Sequence, residues 1–113
     1  MNGRIMNALA DLKYDGKTVP VVPLVYKGTS TTYITFYTWL KNTEIWADGT
    51  PLVEGNNCTV DLFCKGNYTG LLAEVKNRLK GADFYIAGIG PEMYEDDTGY
   101  YHIPINIYRE EKE

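Results

Sequence analysis

The chain holds a single histidine, two cysteines and two tryptophans in 113 residues. It has no basic run and no long apolar stretch. Each shortage excludes something. A membrane-spanning helix needs roughly 18 consecutive apolar residues, and none is present. The opening "MNGRIMNALADLKYDG" lacks the apolar centre of a secretory leader, so the chain reads as soluble, not secreted and without a membrane partner. Nucleic-acid binding draws on clustered Lys and Arg facing the phosphates. Here 11 scattered Lys and Arg stand against 15 Asp and Glu, a net charge of −4, and direct nucleic-acid recognition is not expected.

The cysteines are equally restrictive. Cys58 and Cys64 lie six positions apart in "NCTVDLFCK". On one strand that separation is about 20 Å, whereas a disulfide needs Cα atoms within roughly 7 Å. They form no CxxC pair, and no further cysteine completes a zinc site. They read as two small buried apolar residues in a reducing compartment. No phosphate loop or nucleophile elbow occurs, and "GIGPEM" lacks the third glycine and the following helix of a dinucleotide fingerprint. With no paired groups to run a reaction, the expectation is a non-enzymatic protein with no catalytic residue, cofactor or metal.

What is present is an ordinary globular composition, 44% hydrophobic and 23% charged, over a length that fits one domain, 1–113. A chain of this size buries roughly two-thirds of its unfolded surface. The unusual count is ten tyrosines. Tyrosine combines large contact area with a polar tip and is enriched at interfaces, so the count favours a protein that assembles.

The apolar spacing of Ile5, Leu9 and Leu12 predicts a helix over 2–13, with Asn2 as N-cap and "YDGK" as its end. "TVPVVPLVY" (18–26) is β-prone, but Pro20 and Pro23 assign it to a sheet edge. "TYITFYTWLK" (32–41) is the clearest strand, with Ile34, Phe36 and Leu40 on one face and Tyr33, Tyr37 and Trp39 on the other. Turns are expected at Asp48-Gly49 and Glu54-Gly55. In "NCTVDLFCK" (57–65), Cys58, Val60, Leu62 and Cys64 alternate with Thr59, Asp61, Phe63 and Lys65.

The period then becomes helical. Leu72, Val75 and Leu79 make the stripe with Leu71 adjacent, Asn67 or Thr69 is the cap, and Gly81 is the stop. "FYIAGIG" (84–90) and "GYYHIPINIY" (99–108) are strands. The latter points Tyr101, Ile103, Ile105 and Ile107 one way and Tyr100, His102, Asn106 and Tyr108 the other, with Pro104 signalling an edge or a bulge. The order is helix, strands, helix, two strands. It implies an α+β fold, a largely antiparallel sheet with two helices packed on one face.

Between the last two strands, Glu92, Glu95, Asp96 and Asp97 stand close to His102. "DDTG" supplies turn chemistry: acids that accept local backbone donors and a glycine free to take positive φ. The spacing matches neither a zinc set nor a calcium loop, so the acids read as a solvated hairpin tip.

Two stretches together resemble a known family. They are Val60-Asp61-Leu62-Phe63 with Lys65, Asn67 and Tyr68, and Tyr94-Glu95, Asp97-Thr98-Gly99, Tyr101 and His102; "WADGTPLVEGN" (46–56) also fits. The chain resembles the tail-terminator (tail-completion, head–tail joining) proteins of long-tailed phages and prophages over about residues 32–108. The N-terminal part departs most from that pattern. The resemblance implies a structural protein whose copies form a ring, commonly hexameric. That ring caps the tail tube and meets the head connector, in a virion tail assembled in the host cytoplasm. The implied partners are further copies of itself, the tail-tube protein and the head-connector protein.

Tyr33, Tyr37, Trp39 and Trp46 are the candidate subunit interface. The strand aromatics equally fit packing under the helices. The alternatives are a small cytosolic binding module using the aromatic strand face, or another head–tail joining protein of the same virion.

Overall fold

The structure, a computed structural model, describes residues 2–40, 46–47, 50–51 and 55–110. In chain order it contains α1 (Asn2–Ala8), β1 (Lys13–Tyr14), β2 (Lys17–Thr18), β3 (Val21–Pro23), β4 (Thr32–Leu40), β5 (Trp46–Ala47) and β6 (Thr50–Pro51). There follow β7 (Gly55–Cys64), α2 (Thr69–Gly81), β8 (Tyr85–Ile89), β9 (Met93–Glu95) and β10 (Tyr100–Glu110). The main sheet has the order β3-β4-β7-β10-β8, with β9 also paired to β10. Every pairing in it is antiparallel except β3 with β4. The fold is α+β, as expected.

Strict alternation on the long strands decides which face is buried. Ile34 and Phe36 of β4, Val60 and Leu62 of β7, and Ile103, Ile105 and Ile107 of β10 form one dry layer. Both helices pack on that layer. Ile5 and Leu9 come from α1 and the turn after it, and Leu71, Val75 and Leu79 come from α2. The α2 stripe therefore begins at Leu71, spaced i, i+4, i+8, and Leu72 is only half-buried beside it. Arg78 of α2 donates to the Ala10 carbonyl behind α1 and pairs with Glu74 one turn back at 2.9 Å. The first contact satisfies an acceptor beyond the end of α1 and ties the helices together.

Several local expectations shift. The first helix stops at Ala8, and Asn2 lies inside it rather than in front of it. Leu12 is still buried, but "KYDGKT" is a hairpin. Asp15 and Gly16 both take positive φ, 53° and 77°, the signature of a type I′ turn. At α2 the cap position is Tyr68, which makes no side-chain cap bond; Asn67 Oδ1 accepts the Thr69 amide at 3.1 Å instead. A third strand, β9, follows α2 where only two were expected. The side chain of Leu40 and the turns at Asp48-Gly49 and Glu54-Gly55 lie outside the described residues, except that Gly55 opens β7.

Pro104 does not mark an edge, because β10 is paired on both sides. Its carbonyl accepts the Gly90 amide at 2.8 Å. An extended residue's N and O point to the same side, so the missing donor faces Gly90, in the gap between β8 and β9. There no ladder bond is lost. A bulge does occur nearby, where the β8 register shifts between Asn106 and Ile107.

Three substitutions test this packing. Leu79→Ala should cost about 2–5 kcal/mol through lost burial and a cavity, and Leu72→Ala clearly less. At Gly90 an added Cβ would lie 2.6 Å from Pro104 Cγ, a rigid ring atom. Gly90→Ala should therefore destabilise by about 1–3 kcal/mol through overpacking. Urea denaturation of the three variants measures all three effects.

Candidate functional site

The face of the sheet away from the helices carries the polar and aromatic half of the alternation. The β4–β7 and β7–β10 registers set Tyr33 opposite Phe63 and Phe63 opposite His102. Their rings stack in that order. Tyr33 and Phe63 are 4.7 Å apart by centroid, and Phe63 and His102 are 4.2 Å apart with planes only 14° off parallel. Tyr26, from the loop after β3, extends the row by stacking on Tyr33 at 4.5 Å. Tyr100 meets Tyr33 edge-on at 5.6 Å, and Lys65 Nζ lies 4.9 Å from the Tyr100 ring. Each such ring pair adds about 0.5–1.5 kcal/mol beyond area burial.

The next row pairs Asp61 with Pro104, so Asp61 is a diagonal neighbour of His102. His102 Nε2 donates to Asp61 Oδ1 at 2.9 Å, and both side chains are largely covered, at 23% and 15% exposure. The bond fixes the tautomer in which Nε2 carries the proton. One row further, Thr59 Oγ1 donates to Asn106 Oδ1 at 2.9 Å. A hydrogen-bonded Asp–His pair is two-thirds of a nucleophilic triad. Neither cysteine reaches it, because both belong to the helix-side face of β7 and are buried. Among the described residues, no three of His, Cys, Asp and Glu come together as a metal-binding group.

Of the sequence-picked interface residues, Tyr33 is half-buried within the stacked row and Tyr37 is 42% exposed. The side chains of Trp39 and Trp46 lie outside the described residues. The acids fall on the expected turn. Asp96–Gly99 links β9 to β10, Gly99 takes φ 78°, and its amide donates to the Glu95 carbonyl at 2.7 Å. Asp96 and Asp97 are exposed, and Glu95 is half-buried. The hydrogen bond of His102 goes to Asp61, a partner 41 positions earlier in the chain, rather than to the acids of this turn. The pattern of alternation gave both residues the same face; only the β7–β10 register shows that they touch.

Among the described residues, four groups are shifted from their ordinary values. Tyr14 is raised by its hydrogen bond to the Cys64 sulfur, and Tyr68 by its bond to the Glu92 carboxylate. Burial raises Tyr33 and pushes the Cys58 thiol up to about 12. No helix among the described residues is long and apolar enough to cross a membrane. No protein-family model and no curated protein matches the chain.

The Cys58 shift predicts an alkaline instability. Below pH 9.0 the thiol is neutral in folded and unfolded chains alike, but from there to about 12 only the unfolded chain ionises it. Stability should therefore fall as pH rises through that window, by up to about 1.4 kcal/mol per pH unit from this group. Tyrosine ionisation adds a background common to wild type and variant. Urea melts at successive alkaline pH values should show a shallower loss for Cys58→Ala than for wild type.

Proposed function

We propose that this chain is a non-enzymatic, self-associating structural subunit of a phage or prophage head–tail junction. In this reading it is a tail terminator, whose ring caps the tail tube and meets the head connector in the virion. The observation that carries the reading is the second face of the sheet. Among the described residues, both helices pack on the opposite face, and this one keeps an aromatic row with Tyr37 exposed beside it. An assembling subunit needs large, stiff, amphipathic side chains, and tyrosine provides them with only two χ angles to fix. The motif resemblance at residues 60–68 and 94–102 covers the second half of β7, the loop leading to α2 and the β9–β10 turn, and its strand residues Asp61, Phe63 and His102 lie on this face. The Asp61–His102 pair serves as a cross-strand clasp in this reading, since neither cysteine is within its reach.

Sedimentation velocity over a wide concentration range, alone and with the tail-tube protein, tests the proposal together with electron microscopy of tube ends. A ring, free or seated on tube ends, is expected. A protein that stays monomeric throughout and leaves tube ends bare would overturn it. Tyr37→Ser should weaken association by about 1–2 kcal/mol while circular dichroism stays unchanged.

A further inference from the structure

We infer that copies of this chain meet edge to edge, the β8/β9 edge of one seated against the β3 edge of the next. The inference rests on the ring reading above and names the surfaces that would close the ring. Among the described residues, the large exposed apolar side chains other than Met6 of α1 gather at two places. Tyr85, Ile89, Met93 and Tyr94 lie on β8 and β9, which line one side of the sheet along β10. Leu24 and Val25 directly follow β3, the strand at the other side. Tyr37 adjoins them, because the Leu24 amide donates to the carbonyl of Phe36 at 2.9 Å. Two different patches on opposite sides of one subunit are what a head-to-tail cyclic contact requires.

The two patches stand at the same height. Pro23 pairs with Phe36, Phe36 with Val60, Val60 with Ile105, and Ile105 with Ile89. That single row runs from one edge to the other and leaves Leu24 level with Ile89. The charges are complementary as well. Glu92, Asp96 and Asp97 are exposed around the β9 edge. On the other side, Lys27 is exposed next to Tyr26, whose ring stacks on Tyr33 in the row that ends at Met93. A neighbour approaching by rotation thus brings cation to anion while apolar side chains meet.

The backbone at Leu24 carries the same message independently. Leu24 is held at φ 65°, in the left-handed region that bulky residues avoid, with its side chain 71% exposed. Strain spent on presenting an apolar side chain to water is accounted for when a partner covers it. The contact is side-chain packing rather than a continuous sheet, because Pro23 has no amide to donate and its carbonyl already accepts the Val25 amide at 2.8 Å.

The test uses three variants of the full chain, Leu24→Cys, Ile89→Cys and the double variant, with a short bismaleimide cross-linker. The native Cys58 and Cys64 are buried and serve as a silent background. Both new positions are exposed, so circular dichroism should match wild type. The double variant should give a ladder ending in one closed species, each single variant alone no product, and an equimolar mixture of the singles a dimer only. Dimers from Ile89→Cys alone would mean that like edges meet, and would overturn the head-to-tail contact. If wild type sediments as a ring but the double variant does not cross-link, the edge assignment falls and the ring reading stands. If wild type remains monomeric with and without tail-tube protein, both fall.

Discussion

The register between β7 and β10 is the constraint on which the rest of this molecule depends. It runs without interruption from Tyr101 opposite Cys64 to Glu110 opposite Gly55. A slip of one residue would turn Ile103, Ile105 and Ile107 out of the core and drive His102, Asn106 and Tyr108 against the helices. The same register stacks Phe63 on His102 and sets Asp61 within reach of the imidazole. It also determines where β8 and β9 attach, because both hang on the far side of β10. Core, open face and outer edge therefore share one determinant.

Along each long strand, successive residues have opposite duties. The helix-side positions over the core are apolar and sealed: Ile34 and Phe36, then Cys58, Val60 and Leu62, then Ile103, Ile105 and Ile107. The Cys58 thiol resists ionisation because burial penalises the thiolate. The open-side positions are polar or aromatic, and they satisfy each other across strands: His102 with Asp61, Thr59 with Asn106. Such pairs hold strands in register at modest net stability, since each replaces hydrogen bonds to water. They also hold the open face in shape from within the sheet itself.

Much of this was legible beforehand, because a period of two is hard to mistake over nine or more residues. The division of β4, β7 and β10 into two faces follows from their alternation, and the DDTG turn from its residues, while alternation left open which face of β4 the helices cover. Short elements were not legible. The β1–β2 hairpin hides behind helical spacing from Ile5 to Leu12, and its Asp-Gly read as a helix stop rather than a type I′ turn. β9 is too short to show a period. At α2, Leu71 and Leu72 are adjacent and either could open the stripe; the packing against the sheet chooses Leu71. The Asp61–His102 contact needed a pairing of distant strands, which no local signal carries. The apolar edges were invisible for the same reason, since Leu24 and Ile89 become opposites only after five strands are laid side by side.

The outer edge of the sheet is divided. β8 ends at Ile89, Gly90 packs against the Pro104 ring, Pro91 follows, and β9 begins only at Met93. Cross-β stacking recruits uninterrupted segments of about six or seven residues without proline. Here the two exposed pieces are five and three residues long. The edge thus exposes apolar side chains while being too fragmented to template a fibril. Interruption protects this edge where covering it would otherwise be needed.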